Sequence, residues 1–331
     1  MKPEQKSLRI GAAVIVFAVA LRLLSSSIAA DLTALLTHPT ASSVLLYLGT
    51  GRVFPVSGEG RSPEIPETTA GEVPEETQPP ATVPVFSQGD LAAVSVTNHP
   101  GYSVDVEALL TQPLSWELTG TEPTVLILHS HTCESYENTE GYSSTGAYRT
   151  TDTRYNMVSI GSHLAACLKS HGISVLHDTT IHDYPSYNDA YTLSRATAQA
   201  YLQQYPSIRL VLDIHRDAYE DSSGKQASST VSFHGKELSR LMVVAGTDAY
   251  GEKHSNWTEN LSLAVKLQAA MERLYPGLCR PGSLRSSAFN QDLSPGALLI
   301  EVGTAGDTRQ NALNAAEALA EGIALLCHGT A

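Results

Sequence analysis

Three apolar, strand-like runs of this 331-residue chain end on side chains that can bind a metal ion. VLILHSHTCE contains His129, His131 and Glu134, LVLDIHRDA contains His215, and ALLIEVGTA contains Glu301. Open α/β sheets bind ligands at the carboxyl ends of their strands, so we expect these side chains in one crevice. Neutral imidazole and carboxylate suit Zn²⁺, and three protein ligands leave one position open for water. The pattern therefore predicts a zinc hydrolase.

The first of these strand ends leaves the choice of ligand open. His131 and Glu134 are three residues apart, and in a turn or nascent helix such side chains face the same way. His129 alternates with His131 and points to the opposite face if the strand continues. We predict that one of these two histidines is a ligand. A solvated loop with a fortuitous His and Glu is the alternative.

The second strand end supplies a ligand and two charged neighbours. Asp213 lies two residues before His215, on the same face of a strand, where its carboxylate can fix the imidazole tautomer. Arg216, or a backbone amide, is the predicted group that stabilises an oxyanion. The alternative is a charged strand end whose residues only form ion pairs.

Glu301 follows the buried-type run Ala-Leu-Leu-Ile and precedes Val-Gly. An ionised carboxylate at such a position costs several kcal/mol unless it is paired or lies near a metal. A desolvated carboxylate with a raised pKa is suited to act as a general base near neutral pH. We predict that Glu301 takes a proton from water and passes it to a leaving amine. A strand-end glutamate bonded to a neighbouring helix N-terminus is the alternative.

The segment around His182 is rich in tyrosine. Tyr184, Tyr187 and Asn188 can line a substrate groove, or the segment can be an ordered loop over the edge of the sheet.

The four cysteines form no CxxC pair, so we expect free or buried thiols rather than a disulfide framework.

Residues 1–30 are predicted to be an uncleaved membrane anchor. Lys2, Lys6 and Arg9 precede the apolar run 10–24, and this order places the N-terminus in the cytoplasm. A cleaved signal peptide is the alternative. In both cases the rest of the chain is exported. With the anchor retained, the protein is a single-pass protein of the cell membrane with an extracytoplasmic catalytic domain.

The remainder of the chain divides by composition. Residues 31–56 are predicted to be a short extracytoplasmic segment. Residues 57–99 form a linker rich in Pro, Glu and Thr, which holds too little apolar surface to fold alone. The catalytic domain is expected over residues 100–328. The net charge of −13 argues against a nucleic-acid partner, because phosphate binding needs a basic surface.

Strands and helices alternate through the predicted domain, and its strands are almost continuously apolar. This pattern predicts a three-layer α/β domain with a mainly parallel sheet. The predicted strands are 124–129, 173–177, 208–215, 230–234, 240–246 and 297–303, and the predicted helices are 156–170, 189–204, 257–274 and 308–327.

Five segments of this domain resemble the stage II sporulation protein P family. They are HSHTCESY, HDTTIHDYPSYNDAYTLSR, LVLDIHRDAY, NQDLSPGALLIEVG and TRQNAL. The resemblance implies a zinc-dependent peptidoglycan hydrolase, an N-acetylmuramoyl-L-alanine amidase that can also cleave peptide cross-links. It further implies a role in engulfment during sporulation, at the membrane, together with sporulation proteins D and M.

The domain is also similar to the zinc-type cell-wall amidases. In those enzymes a Glu in an E-[VLI]-G context is catalytic, and that context matches Glu301. The histidine at a strand end matches His215. The first amidase histidine follows its strand by a few residues, which favours His131 over His129.

The third zinc ligand is where the chain departs from the amidase pattern. In those amidases a ligand Glu opens the next helix, but residues 152–156 here read DTRYN. The resemblance therefore leaves Glu134 as the replacement, as in HxxE zinc carboxypeptidases. A zinc peptidase acting on short wall peptides and a metal-free wall-binding scaffold remain the alternatives to an amidase.

Overall fold

A mixed sheet of seven strands forms the centre of the domain in a computed structural model, which describes residues 85–116, 122–139, 141–143 and 148–328. The strands of the described residues are β1 (Val96–Asn98), β2 (Val125–Leu128), β3 (Asn138–Thr139), β4 (Tyr142–Ser143), β5 (Val175–His177), β6 (Leu210–Asp217), β7 (Thr230–Phe233), β8 (Lys236–Ser239), β9 (Leu241–Ala245), β10 (Gly282–Leu284) and β11 (Ala297–Thr304). The α-helices are α1 (Gln88–Ala93), α2 (Val106–Thr111), α3 (Met157–Ser170), α4 (Ala190–Gln204), α5 (Trp257–Leu274) and α6 (Arg309–His328).

The strand order in the sheet is β1-β10-β9-β11-β6-β2-β5. Neighbouring strands pair in parallel except β9 and β11, which pair antiparallel. The two hairpins β3-β4 and β7-β8 form separate small sheets. The predicted α/β class with a mainly parallel sheet is therefore confirmed, and the antiparallel step between β9 and β11 is an addition to it.

Helices cover both faces of the sheet, which makes three layers. Buried residues of α3, α5 and α6 pack with one face into the main core. On the other face, Ala198 of α4 packs on Leu126 and Leu128 of β2 and on Val211 of β6 in a smaller core. The two cores are unequal because three long helices cover one face and one helix covers the other.

Strand alternation assigns the predicted catalytic side chains to the face with the smaller core. On β6, Leu212 and Ile214 belong to the main core, so the intervening Asp213 and the following His215 lie on the opposite face. On β11, Ile300 likewise belongs to the main core and Glu301 follows it. The site therefore lies beside α4 rather than under the three-helix layer.

Helix α3 approaches the sheet closely at one glycine. It begins after Asn156, whose side chain accepts a hydrogen bond from the backbone N–H of Val158. A Cβ atom on Gly161 would lie 2.5 Å from Nε2 of both His129 and His177. Only a residue without a side chain fits at this distance, so Gly161 sets how near α3 lies to the ends of β2 and β5.

The fold begins before residue 100, earlier than the predicted domain boundary. Helix α1 and strand β1 both precede it, and β1 pairs with β10 at the edge of the sheet. Arg273 of α5 holds α1 through Asp90, with an N–O distance of 2.7 Å. These elements belong to the domain and not to the linker predicted over residues 57–99.

The predicted anchor and the segment that follows it, residues 1–56, lie outside the described residues. Within the part of the chain that the structure describes, no helix is both long and apolar enough to cross a membrane.

We predict that Gly161→Ala destabilises the domain. The added methyl group meets the buried imidazole of His129 and the half-buried imidazole of His177, and overpacking of this kind costs about 1–3 kcal/mol. Alanine has a higher intrinsic helix propensity than glycine, which offsets roughly 1 kcal/mol of that loss. Chemical denaturation of the two proteins measures the difference.

Gly89→Ala in α1 is the matched control for this substitution. Its Cβ atom would lie 3.5 Å from Ser87 Oγ, an ordinary contact, so we expect no loss of stability. Equal unfolding midpoints for Gly161→Ala and the wild type would contradict the packing argument.

Candidate active site

A cavity of ≈ 680 Å³ opens at the carboxyl ends of β2, β6 and β11. This is the edge of the sheet at which the sequence predicts a site. Five of the six predicted site residues line the cavity, and they are His131, Glu134, His215, Arg216 and Glu301.

His129, the sixth predicted residue, is not in the cavity lining. Its side chain is fully buried, with Nδ1 2.9 Å from the carbonyl oxygen of Ile214 and Nε2 2.9 Å from Nε2 of His177. A carbonyl oxygen only accepts, so Nδ1 carries the proton and donates it. Burial lowers the pKa of His129 to about 4. Both ring nitrogens are thus occupied, and of the two alternating histidines it is His131 that reaches the cavity.

His131 lies in the turn that follows β2. Its ring stacks on Tyr187 at a centroid distance of 4.4 Å and stands perpendicular to His215 at 5.2 Å. Its buried Nδ1 has no hydrogen-bond partner among the described residues, and the nearest carboxylate oxygen, on Asp183, is 3.8 Å away. Burial lowers the pKa of His131, which favours the neutral imidazole.

His215 lies between two carboxylates. Its Nε2 is 2.8 Å from Oδ1 of Asp213, and its Nδ1 is 3.5 Å from Oε2 of Glu134. The first contact is short but not aligned as a hydrogen bond, so it is a contact between charges. Burial alone lowers the pKa of His215, but the two carboxylates outweigh it and raise the pKa well above its usual value.

Asp213 is itself fixed by the turn after β2. It accepts hydrogen bonds from the backbone N–H of Ser130 at 2.8 Å and from the Ser130 hydroxyl at 2.5 Å. The Ser130 hydroxyl also lies 2.7 Å from that of Ser194 in α4. The contact between Asp213 and His215 that strand alternation predicts is therefore present, and it is anchored to two other elements.

Glu134 is buried and ionised. Burial raises its pKa, but the Arg216 guanidinium and the imidazole of His215 reverse this and hold the pKa of Glu134 at about 2. The backbone N–H of Arg216 donates to Oε2 of Glu134 at 3.1 Å, and Nη1 lies 3.7 Å from Oε1.

Arg216 also supports the loop that carries Glu134. Its Nε donates to the carbonyl oxygen of Ser135 at 3.0 Å, and its Nη2 donates to that of Tyr148 at 2.8 Å. These contacts make Arg216 a positioning residue for the loop. The role in stabilising an oxyanion stays a prediction.

Glu301 is directly beside His215 in the register of β11 and β6. Its Oε2 is buried and has no hydrogen-bond partner among the described residues. Burial raises the pKa of Glu301 to about 8, against the opposing effect of His215. An unpartnered carboxylate oxygen with this pKa is equipped to accept a proton from a bound molecule.

The donor set fits zinc in its chemistry and in one distance. His131, His215 and Glu134 are ligand types of zinc hydrolases. Two ligand atoms of a tetrahedral Zn²⁺ site stand about 3.3–3.4 Å apart when each is ~2.0–2.1 Å from the ion. The corresponding separation of His215 Nδ1 and Glu134 Oε2 is 3.5 Å. Within the described residues, no three His, Cys, Asp or Glu side chains are already assembled around one ion position.

The lining residue Arg149 and its buried partner Asp183 carry no signal in the sequence. Arg149 Nη2 is 2.6 Å from Oδ2 of the buried Asp183, and its guanidinium lies 4.7 Å from the ring centre of Tyr187. Asp183 also accepts from the backbone N–H of Cys133 at 3.0 Å. Tyr187 was predictable as a groove residue, whereas Arg149 and Asp183 come from separate loops that only the folded chain brings together.

His182 belongs to the support of this site and not to its lining. It is buried, with Nδ1 2.8 Å from the carbonyl oxygen of His129 and Nε2 3.0 Å from the hydroxyl of Thr197. It connects the turn after β2 to α4. The neighbouring Tyr184 is exposed.

We predict that Asp183→Asn destabilises the domain by about 1–3 kcal/mol, because it leaves the Arg149 guanidinium without its buried counter-charge. Thermal and chemical unfolding measure the change. Asp152→Asn is the matched control, since the pair of Asp152 with Arg154 is at the surface and is screened by solvent. A loss for the control as large as that for Asp183→Asn would show that burial of the pair is not the cause.

Among solved structures, the chain is similar to two amidases. The N-acetylmuramoyl-L-alanine amidase AmiC2 of Nostoc punctiforme is 14% identical, with 62% of this chain and 97% of that chain covered and a TM-score of 0.37. The CwlD amidase of Clostridioides difficile, solved in complex with the GerS lipoprotein, is 14% identical, with 61% and 95% covered and a TM-score of 0.36. At these scores no residue role is carried over.

The sequence itself gives a stronger match. Stage II sporulation protein P of Bacillus subtilis (strain 168) is 29% identical over 219 residues, which are 62% of this chain and 51% of that protein. The chain therefore spans about half the length of this curated relative. The family model of stage II sporulation protein P (SpoIIP) matches residues 62–324. The chain belongs to the stage II sporulation protein P family.

Proposed function

We propose that this protein hydrolyses the N-acetylmuramoyl-L-alanine amide bond of peptidoglycan during sporulation, with Zn²⁺ as its cofactor. The observation that carries the proposal is the meeting of His131, His215, Glu134 and Glu301 at one cavity, in a member of this family. Cleavage of peptide cross-links is a second activity of the same site, because both bonds are amides.

His131, His215 and Glu134 are the residues that would hold the ion. Zinc supplies a Lewis acid that polarises the amide carbonyl and lowers the pKa of water to about 7. Asp213 orients the imidazole of His215 from the side away from Glu134. Such a carboxylate fixes the ring and strengthens it as a ligand.

Glu301 is the proposed general base. Its unpartnered Oε2 takes one proton from the attacking water, whose oxygen adds to the amide carbonyl carbon. Glu301 then gives that proton to the amide nitrogen as the C–N bond breaks. The products are a free carboxyl group on the muramic acid and a free amino group on alanine. Arg216 or a backbone N–H stabilises the negative charge on the carbonyl oxygen.

The proposed setting is outside the cytoplasmic membrane. Residues 1–30 anchor the chain there, and residues 57–84 space the domain from the membrane. Peptidoglycan is the substrate, and sporulation proteins D and M are the proposed partners in engulfment.

We predict that the protein releases stem peptides from purified peptidoglycan and leaves glycan strands without peptides. Digestion followed by mass spectrometry identifies the broken bond. Glu301→Gln is expected to lower kcat by about 10²–10⁴-fold, the usual contribution of a general base. Shortened stems on intact muramoyl links would instead identify a peptidase. If the zinc-bound protein releases neither free stem peptides nor shortened stems, it is a wall-binding protein and not a hydrolase.

We predict that the purified protein binds one equivalent of zinc and that His215→Ala removes it. Elemental analysis after gel filtration measures the metal, and circular dichroism checks that the variant is folded. His163→Ala is the matched control, because His163 pairs with Glu317 at 3.2 Å and is not in the cavity lining. Retention of the full equivalent by His215→Ala would contradict the proposed ligand set.

A further inference from the structure

Arg285 differs from the other arginines of the cavity in its partners. Arg149 pairs with Asp183 at 2.6 Å, and Arg216 lies 3.7 Å from a carboxylate oxygen of Glu134. Arg285 lines the same cavity, is exposed, and has no acidic partner among the described residues. In a chain with a net charge of −13, a guanidinium left without a counter-charge is available to a ligand.

Three acidic residues line the cavity, Glu134, Asp217 and Glu301, and none of them forms an ion pair with Arg285. Glu134 is neutralised by Arg216 and His215. Asp217 is bound by Arg280, with an N–O distance of 2.6 Å. The cavity therefore has an uncompensated positive charge at the position of Arg285.

The strand register gives the distance between Arg285 and the catalytic end. Leu299 lies two residues before Glu301 on β11, and it pairs with Val244 on β9. The carbonyl oxygen of Ala245, next on β9, accepts from the backbone N–H of Arg285 at 2.8 Å. Because Leu284 pairs with Ala245, Arg285 is level with Ala297, two strand spacings away from β11 and four residues from Glu301 along it. At ~4.8 Å for each spacing and ~3.3 Å for each residue, the Cα atoms of Arg285 and Glu301 are roughly 16 Å apart.

The backbone of Arg285 is held on both sides. Besides its bond to Ala245, its carbonyl oxygen accepts from the hydroxyl of Thr247 at 2.8 Å. These two bonds fix the Cα position of Arg285, so only its side chain changes conformation when a ligand binds. A cation on a fixed backbone loses less entropy on binding than one on a mobile loop.

The surface between the two ends of the cavity is apolar. Val244 and Leu299 pack together there with Phe289. Phe289 and Asn290 both have left-handed backbones, with φ of 51° and 59°. Such conformations cost about 1–3 kcal/mol for a non-glycine residue and cluster at ligand sites. The Asn290 amide donates to the carbonyl oxygen of Tyr191 at 2.8 Å and thereby ties this turn to α4.

We propose that Arg285 binds a carboxylate of an acidic peptide, two or three residues away from the amide bond that is cleaved. The side chains of Glu301 and Arg285 both line the cavity, so the carboxyl group and the guanidinium are closer together than the two Cα atoms. An extended peptide covers ~3.3–3.6 Å per residue, so about three residues cover the remaining distance between these two groups. The apolar surface accepts a small aliphatic side chain between them. A guanidinium binds carboxylate through two parallel hydrogen bonds. This inference rests on the proposed function and names the part of the substrate that gives it specificity.

The test compares two substrates that differ only in charge. One is N-acetylmuramoyl-L-alanyl-D-glutamate, and the other has both glutamate carboxyl groups converted to carboxamides. The full chain is expected to show a KM about tenfold lower for the charged compound, with kcat similar for both, because the contact forms in ground state and transition state alike. Arg285→Gln should remove this preference and leave kcat unchanged.

Arg209→Gln is the matched control. Arg209 is an exposed arginine that immediately precedes β6, at the end of the strand opposite to His215, so it changes the net charge equally without reaching the cavity. The Arg209→Gln variant should keep the tenfold lower KM for the charged substrate. A preference that survives in Arg285→Gln, or that is lost equally in Arg209→Gln, would overturn the assignment.

A binding measurement separates this inference from the proposed function. If the wild-type chain cleaves neither compound, the proposed function fails, and calorimetric titration with L-alanyl-D-glutamate and its diamide decides the inference alone. Tighter binding of the charged peptide by the wild type than by Arg285→Gln supports it. Equal affinities of both proteins for both peptides refute it.

Discussion

Four buried ionisable groups must neutralise one another at the ends of β2 and β6, and the rest of the site depends on that constraint. Asp213, His215, Glu134 and Arg216 form a row in which negative and positive groups alternate. Removal of one member leaves its neighbour as an unpaired buried charge, at a cost of about 3–5 kcal/mol. Because Glu134 is in the turn after β2 and the other three are on β6, the row also fixes that turn against the strand. The same contacts thus stabilise the fold and place the proposed ligands.

Strand alternation is what permits such a row inside an α/β domain. The main core occupies one face of β6 and β11, through Leu212, Ile214 and Ile300. Polar side chains on the alternate positions therefore reach a face that α4 covers only in part. His215 and Glu301 lie side by side there because β6 and β11 are neighbours in register. An active site is compatible with a well-packed sheet because its side chains lie on the face opposite to the main core.

The part of the site that follows period-two alternation was predictable from the sequence, and the part built by turns was not. The pairing of Asp213 with His215 follows from their spacing alone. The choice between His129 and His131 does not, because β2 ends at Leu128 and the turn beyond it breaks the alternation. Strands of three residues, such as β1 and β10, hold too little pattern to identify. The antiparallel pairing of β9 depends on its position next to β11 in the folded sheet, and no local sequence signal encodes that position.

Two groups in the cavity, one buried and one exposed, have no protein partner among the described residues. Oε2 of Glu301 has no hydrogen bond among the described residues, and Arg285 has no described carboxylate. Folding alone disfavours the first, since an unsatisfied buried polar atom costs free energy and an apolar replacement costs little. The guanidinium of Arg285 is exposed to water and makes no ion pair within the described part of the fold. Both groups gain a partner if one bound molecule reaches these two points of the cavity. Glu301 then exchanges a proton with the cleaved amide, while Arg285 pairs with a charge farther along the same chain. The spacing between them, set by two steps across the sheet and four residues along β11, is what selects the substrate.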